Sequence, residues 1–230
     1  MKFVSELLFD LPGAKGEVIY PAGSDIDPVI SKELLKKFAL FPIQTHSTNV
    51  AIAKNRSESF PETDALITFT PDLPIGILTA DCVPILIFST DIKAVAAIHA
   101  GWKGTLGGIV DTTVDTLLRH NAKPENMIVY FGPSISVTNY EVDNSLAISF
   151  KKSGFSNCIT YPNGIDSKPH IDLQKVNIER LLKKGLKKEN IKRSGDCTLG
   201  TTDRNGKYKF QSYRRDGDKS SRNLTMITLK

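Results

Sequence analysis

A mixed α/β domain, α+β-like in the way strands and helices are interspersed, is the fold class this sequence predicts, on three observations. Four short apolar runs between residues 65 and 99 have no hydrophilic face, the pattern of strands covered on both sides. Directly after them the apolar spacing changes to that of a helix. No internal repeat, low-complexity tract or Pro/Gly/Ser-rich linker divides the 230 residues, so 1–230 reads as a single layered domain.

The elements follow in order. Pro28–Leu40 carries Val29, Ile30, Leu34, Leu35 and Phe38 near helical spacing; Pro42 then breaks the helix, and Phe41–Gln44 reads as extended. Ala65–Phe69, Ile75–Thr79, Val83–Phe88 and Ala94–His99 are the strands, separated by Pro-Asp, Asp-Cys and Thr-Asp-Ile-Lys punctuation. Leu106–Leu118 puts Leu106, Ile109, Val110, Thr113, Val114, Leu117 and Leu118 on one helical stripe. A strand at Ile128–Gly132 comes after Pro124. Asp143–Lys152 and Asp172–Lys184 each open on an aspartate suited to an N-cap and close on lysines suited to the negative end of the helix dipole. Gly185 supplies the stop. Strands at Lys207–Tyr213 and Asn223–Leu229 flank the turn-rich RRDGDKSSR.

Composition narrows the function classes. Hydrophobic residues make up 40% of the chain, enough for a sizeable core, and 24% are charged. The net charge of +5 is spread over Lys36–Lys37, Lys151–Lys152, Lys183–Lys188 and the C-terminus, which reads as solvated surface and not as a nucleic-acid arm. No apolar run approaches the roughly 20 residues of a membrane span, and Glu6 and Asp10 interrupt what would be a secretory core. Three cysteines cannot all pair within one chain, so a reducing cytoplasm is the expected compartment.

Chemistry concentrates at three places. His46 in Gln-Thr-His-Ser, Cys82 in Thr-Ala-Asp-Cys and His99 in His-Ala-Gly-Trp-Lys-Gly draw on a chain with only four histidines and three cysteines, and they fall where the apolar strands end. Imidazole and thiolate are zinc ligands, and three protein donors leave a fourth position open, the arrangement of a catalytic site. Each residue also has a plainer reading: Cys82 as a small buried side chain, His99 as a hydrogen-bonded core histidine, His46 as part of an ordinary loop. Gly101, Gly104, Gly107 and Gly108 allow close backbone approach, the helix start offers free N–H groups, and Lys103 adds positive charge, as an anion site would need. The Walker pattern is absent. Arg214 and Arg215 precede an Asp-Gly turn and read either as solvated hairpin arginines or as a clamp on an anion. Glu141 is a cap or a general acid–base candidate. His120 and His170 read as surface residues, and Cys158 and Cys197 lack histidine neighbours.

Together QTHS (44–47), DALIT (64–68), LTADCVPIL (78–86), AAIHAGWKGT (96–105), GPSISVTNYEV (132–142), IDLQKVN (171–177), DCT (196–198) and SYRRDG (212–217) resemble the laccase-domain family. Its members are also called multicopper polyphenol oxidoreductase-like proteins and described as purine nucleoside phosphorylases with adenosine deaminase activity. The resemblance implies an α-β-β-α layered sandwich and one zinc held by His46, Cys82 and His99. It implies phosphorolysis of adenosine, inosine, guanosine and methylthioadenosine to base and pentose 1-phosphate, with deamination of adenosine. Purine nucleosides and phosphate are then the partners of a monomer or homodimer. Asp81 joins Glu141 as a proton-transfer candidate beside the three ligands, and Lys103, Arg214, Arg215 and Gly101 become candidates for holding substrate and phosphate. Residues 1–40 lack the family's Gly-Gly-Val-Ser and Asn-Leu-Gly segments, and Lys103 replaces the usual arginine, which removes bidentate geometry. Four-copper laccase chemistry is rejected on ligand count; one zinc, or one copper in its place, is all that four histidines support. Two rivals are a metal-free Cys–His hydrolase or amidase acting on a peptidoglycan precursor, since the family also carries a peptidoglycan-editing label, and a non-enzymatic nucleoside-binding protein.

Overall fold

Apolar alternation fails at the start of the chain for a structural reason. In the computed structural model, which describes residues 2–22, 27–164 and 166–230, β1 (Phe3–Leu11) and β2 (Ala14–Pro21) form an antiparallel hairpin. Its register shifts between Leu7 and Phe9. A bulge sets two residues opposite one and breaks the period of two, so residues 3–21 do not announce themselves as strands. α1 (Pro28–Leu35) follows, with the Asp27 carboxylate accepting from the N–H groups of Val29 and Ile30 and proline in its first turn. It ends short of the predicted Leu40, because Leu40 bridges to Ile75 and exchanges backbone hydrogen bonds with Pro74 and Gly76.

β3 (Val50–Ala53), β4 (Ala65–Thr68), β5 (Ile75–Thr79), β6 (Val83–Ser89) and β7 (Ala94–Ala100) come next. Every residue of β4 to β7 is buried, as expected for strands covered on both faces. The single helix predicted over 106–118 is two helices, α2 (Trp102–Gly107) and α3 (Ile109–Arg119). Gly108, at φ 86°, ends α2 in the left-handed region; a Cβ there would also lie 2.7 Å from the Asp111 carboxylate.

β8 (Met127–Phe131), α4 (Asn144–Lys152), β9 (Ile159–Thr160), β10 (His170–Ile171), α5 (Leu173–Lys183) and β11 (Ile191–Arg193) lead to the C-terminal segment. Asp172 caps α5 through the Lys175 N–H, and Gly185 stops it at φ 89°. Asp143 precedes α4 without making a side-chain cap. The strand predicted over Lys207–Tyr213 does not form. The Asn223 side chain takes both the N–H and the carbonyl of Gln211, at 3.0 and 2.9 Å, and Ser212 then caps α6 (Tyr213–Asp216). β12 (Asn223–Leu229) closes the chain.

The strands form a four-stranded sheet, β1-β2-β12-β5, and a six-stranded sheet, β11-β8-β6-β7-β4-β3, with β9 and β10 paired separately. Within the larger sheet β3–β4 and β8–β11 are parallel and the other pairs antiparallel. Alternate side chains sort the core into layers. Leu66, Leu86, Val95 and Ala97 meet Ile75, Ile77 and Ile227 between the sheets. Ile67, Ile85, Ala96 and Ile98 pack on Val110, Val114 and Val176 of α3 and α5. Ile19, Leu78 and Leu224 pack on Leu35 of α1. Helix, sheet, sheet and helix are thus stacked in that order, the α-β-β-α sandwich. Among the described residues no helix is long and apolar enough to cross a membrane.

Candidate metal centre and its cleft

Register brings the three donors together. In the larger sheet Pro84 pairs with His99 and Val83 with Ala100, so the start of β6 lies against the end of β7. Between β5 and β6 only Ala80, Asp81 and Cys82 connect the two sheets. That crossing is tight, and Asp81 adopts φ 91° to make it. His46 reaches the same end on the loop before β3, itself at φ 62°. Left-handed backbone in side-chain-bearing residues costs of order 1 kcal/mol or more and persists where the surroundings over-determine it.

The donor atoms of His46, Cys82 and His99 all lie within 4.8 Å of one another, and Cys82 Sγ is 3.8 Å from His46 Nε2. Tetrahedral zinc, with Zn–N near 2.0–2.1 Å and Zn–S near 2.3 Å, holds its donors roughly 3.3–3.8 Å apart, so small side-chain rotations bring this set to a metal. The His rings meet edge to face at 4.8 Å. Gly101 makes room for them: a Cβ there would stand 2.7 Å from His46 Cδ2 and 3.0 Å from Cys82 Sγ. Its part in the site is this absence of a side chain.

Asp64, which sequence reasoning did not single out, organises the centre. Wholly buried just before β4, its carboxylate accepts from the N–H groups of Thr45, His46 and Ser47, from the Ser47 hydroxyl, and from His99 Nδ1 at 2.7 Å. It therefore holds the loop that carries His46 and turns His99 Nε2 towards the other donors, the carboxylate–histidine arrangement of metal sites. Burial would raise its pKa, but the hydrogen bonds from His99 and Ser47 hold it well below the usual carboxylate range. Burial likewise opposes ionisation of Cys82; the charge of His99 and the hydrogen bonds from His46 and His99 outweigh it and bring the thiol down to about 6. His99 moves the other way: burial lowers it, while the Cys82 thiolate and Asp64 lift it to about 9.

The centre opens into a cleft of about 1160 Å³ whose walls include Gln44, Leu78, Trp102, Tyr140, Tyr213 and Arg214. The remaining sequence candidates divide. Arg214 reaches the cleft, its guanidinium 5.5 Å from the Tyr140 ring centroid and donating to the Glu141 carbonyl at 3.0 Å. Arg215 does not. Its guanidinium is spent on the carbonyls of Thr198, Leu199 and Phe210 and on Asp216. Lys103 stands on the exposed side of α2 with its ammonium over Trp102, outside the cleft lining. Glu141 points to Lys168, 3.5 Å away, beside a shallower side cavity. The buried Asp81 carboxylate is occupied by the Thr198 hydroxyl at 2.7 Å and the Arg214 N–H at 2.6 Å.

The other histidines and cysteines sit apart from the donor group. His120 is exposed with Nδ1 on the Thr116 carbonyl; His170, read as a surface residue, is half-buried with Nδ1 on the Val137 carbonyl. Cys158 is buried, its thiol pushed up to about 12 by burial and Glu179. Cys197 is half-buried and receives the Ser136 N–H.

Residues 30–230 match the family model described as multi-copper polyphenol oxidoreductase laccase. A relative from Bacteroides thetaiotaomicron named purine nucleoside phosphorylase is 36% identical over 204 residues, which cover 83% of this chain and 73% of that one. Adenosine deaminase RL5, from an unknown prokaryotic organism, is 35% identical over 201 residues, 83% of this chain and 75% of its own. A solved structure, the hypothetical protein YfiH of Bacillus licheniformis, superposes with a TM-score of 0.81 over 94% of this chain and 93% of that one, at 22% identity. It shares the fold.

Proposed function

Because the chain belongs to the multi-copper polyphenol oxidoreductase laccase family and has relatives named purine nucleoside phosphorylase and adenosine deaminase, we propose that it acts on purine nucleosides at a single zinc centre. The reactions in this reading are phosphorolysis of adenosine, inosine, guanosine and methylthioadenosine, and hydrolytic deamination of adenosine. The observation that carries it is the donor group His46–Cys82–His99 at the head of a cleft large enough for a nucleoside. The whole chain, 1–230, works as one unit in a reducing compartment such as the cytoplasm, where Cys82 stays free. A four-copper centre does not fit despite the family's description: His120 and His170 lie outside the donor group, leaving too few ligands among the described residues.

Zinc, when bound, supplies a Lewis acid with an open fourth position. The chain's own residues do the rest. Asp64 fixes the tautomer and orientation of His99, and Cys82 is ready as thiolate. In phosphorolysis the C1′–N9 bond breaks as phosphate oxygen bonds to C1′, and the base leaves with the electron pair. Arg214 supplies positive charge for the phosphate. Trp102 and Tyr213, 37% and 52% exposed along the cleft, offer ring faces to a purine. Arg215 and Lys103 have no part in this reading, because their charges are directed elsewhere.

The test is chromatographic. Purified protein with adenosine and phosphate is expected to yield adenine and ribose 1-phosphate together with inosine, and a strong chelator is expected to stop both. Metal analysis reports zinc or copper. The short Cys82–His46 distance and the low Cys82 pKa also suit a thiol nucleophile. Chelator-insensitive hydrolysis abolished by iodoacetamide would establish that second reading and overturn the zinc one.

A further inference from the structure

Tyr140 stands on the wall between the main cleft and the side cavity and lines both. Its ring is held by the Arg214 guanidinium, and Arg214 is fixed in turn through Glu141 and Asp81. Its hydroxyl has no hydrogen-bond partner among the described residues. Tyr140 is half-buried in the lining of the cleft that holds the donor group, so its hydroxyl is free to meet a ligand that enters there. The neighbouring Glu141, the acid picked out by sequence, is turned away to Lys168.

Resting on the nucleoside reading above, we propose that the Tyr140 hydroxyl is a catalytic hydrogen-bond donor to the departing purine. As the C1′–N9 bond breaks, the electron pair spreads over the ring nitrogens of the base. A donor fixed beforehand at one of them is worth most when that charge develops. No proton need leave the phenol. Burial holds it protonated, and the Arg214 guanidinium against its ring strengthens it as a donor. A carboxylate in the same place would repel the leaving base.

Tyr140→Phe removes only the oxygen and keeps the ring under Arg214. Metal content and melting temperature are measured first and are expected to match the parent. With inosine and phosphate, kcat is expected to fall about 100-fold, the scale of losing one transition-state donor. With 7-methylguanosine, whose base leaves without developing negative charge, the loss is expected to stay under about 3-fold, since a donor to a neutral leaving group contributes little. Unchanged turnover of inosine, or an equal loss on both nucleosides, would overturn the proposal by leaving Tyr140 no role at the leaving group. No base release from either nucleoside by the parent protein would overturn the phosphorylase reading itself, and this inference with it.

Discussion

Two buried aspartates hold the two walls of the cleft, and they hold them differently. On the metal wall Asp64 accepts five hydrogen bonds, from three consecutive backbone N–H groups, a hydroxyl and an imidazole. On the wall that carries Arg214 the Asp81 carboxylate accepts two among the described residues, from the Thr198 hydroxyl and from the Arg214 N–H at the start of α6. The first wall is over-determined; losing one contact leaves four to fix the ligands. The second is built with little redundancy, on a helix of four residues. The proposed metal centre would need donors fixed to tenths of an ångström, whereas an arginine in the proposed role of meeting a mobile anion would tolerate play.

The largest effect is expected from breaking the stronger clamp. In Asp64→Asn the amide nitrogen faces donors instead of accepting from them, leaving buried N–H groups unpaired. Stability is expected to drop by about 3 kcal/mol or more, as for a broken buried charged network, and metal affinity by about 10–100-fold, read by denaturant unfolding and by competition with a chelating dye. The pH dependence has a definite sign. The Asp64 carboxyl is depressed in the folded protein, so its stabilisation is complete above the ordinary unfolded value near 3.9 and is lost as the pH falls from there. Metal-free parent protein is therefore expected to weaken steeply below about pH 4, and the variant to show a shallower acid limb. An unchanged acid limb would show that Asp64 does not carry that dependence.

The donor triad was legible in the sequence and Asp64 was not, for reasons that lie in where the information sits. His46, Cys82 and His99 are scarce residue types at the ends of apolar runs, a local signal. Asp64 acts on a loop 17 to 19 residues earlier and on a histidine 35 residues later, a tertiary fact. Its local trace is an aspartate immediately before a wholly buried strand, where an unpaired carboxylate would be too costly. The strands β4 to β7 were legible because each is apolar throughout. The hairpin β1–β2 was hidden by its bulge, and α2 by Gly108, whose Gly-Gly pair inside a helical pattern was the available warning. Arg214 and Arg215 are alike in sequence. Only the carbonyls gathered around Arg215 tell a fold-holding arginine from one left in the cleft.

Breaking the weaker clamp sharpens the contrast. Asp81→Asn keeps one acceptor and turns an amide N–H towards one of the two donors, leaving it unpaired at a cost of about 1–3 kcal/mol. Arg214 loses its backbone anchor or Thr198 its partner, while the five contacts of Asp64 are untouched. Bound metal is expected to stay within a few-fold of the parent. The KM for phosphate is expected to rise about tenfold, the equivalent of about 1.4 kcal/mol, with a smaller change in kcat. Metal loss as severe as in Asp64→Asn would show instead that the two walls are one structure, joined through the left-handed backbone at Asp81 and its neighbour Cys82.

The smallest expected effect is Thr198→Val, which removes the hydroxyl and keeps the shape of a buried side chain. Among the described residues Asp81 then accepts only from Arg214, and one hydrogen bond to a charged group is lost, a net contribution of about 1.5 kcal/mol or more. The Arg214 bond, already short at 2.6 Å, stays in place, so the arginine keeps its position in the cleft. Stability is expected to fall by about 1.5 kcal/mol, with the KM for phosphate within about twofold, because in the proposed reading it is the Arg214 bond and not the Thr198 bond that fixes the anion wall. If Thr198→Val raised that KM as much as Asp81→Asn does, then the hydroxyl, by holding the carboxylate in its rotamer, would be the anchor of the wall, and the order of dependence from Thr198 through Asp81 to Arg214 would have to be rewritten.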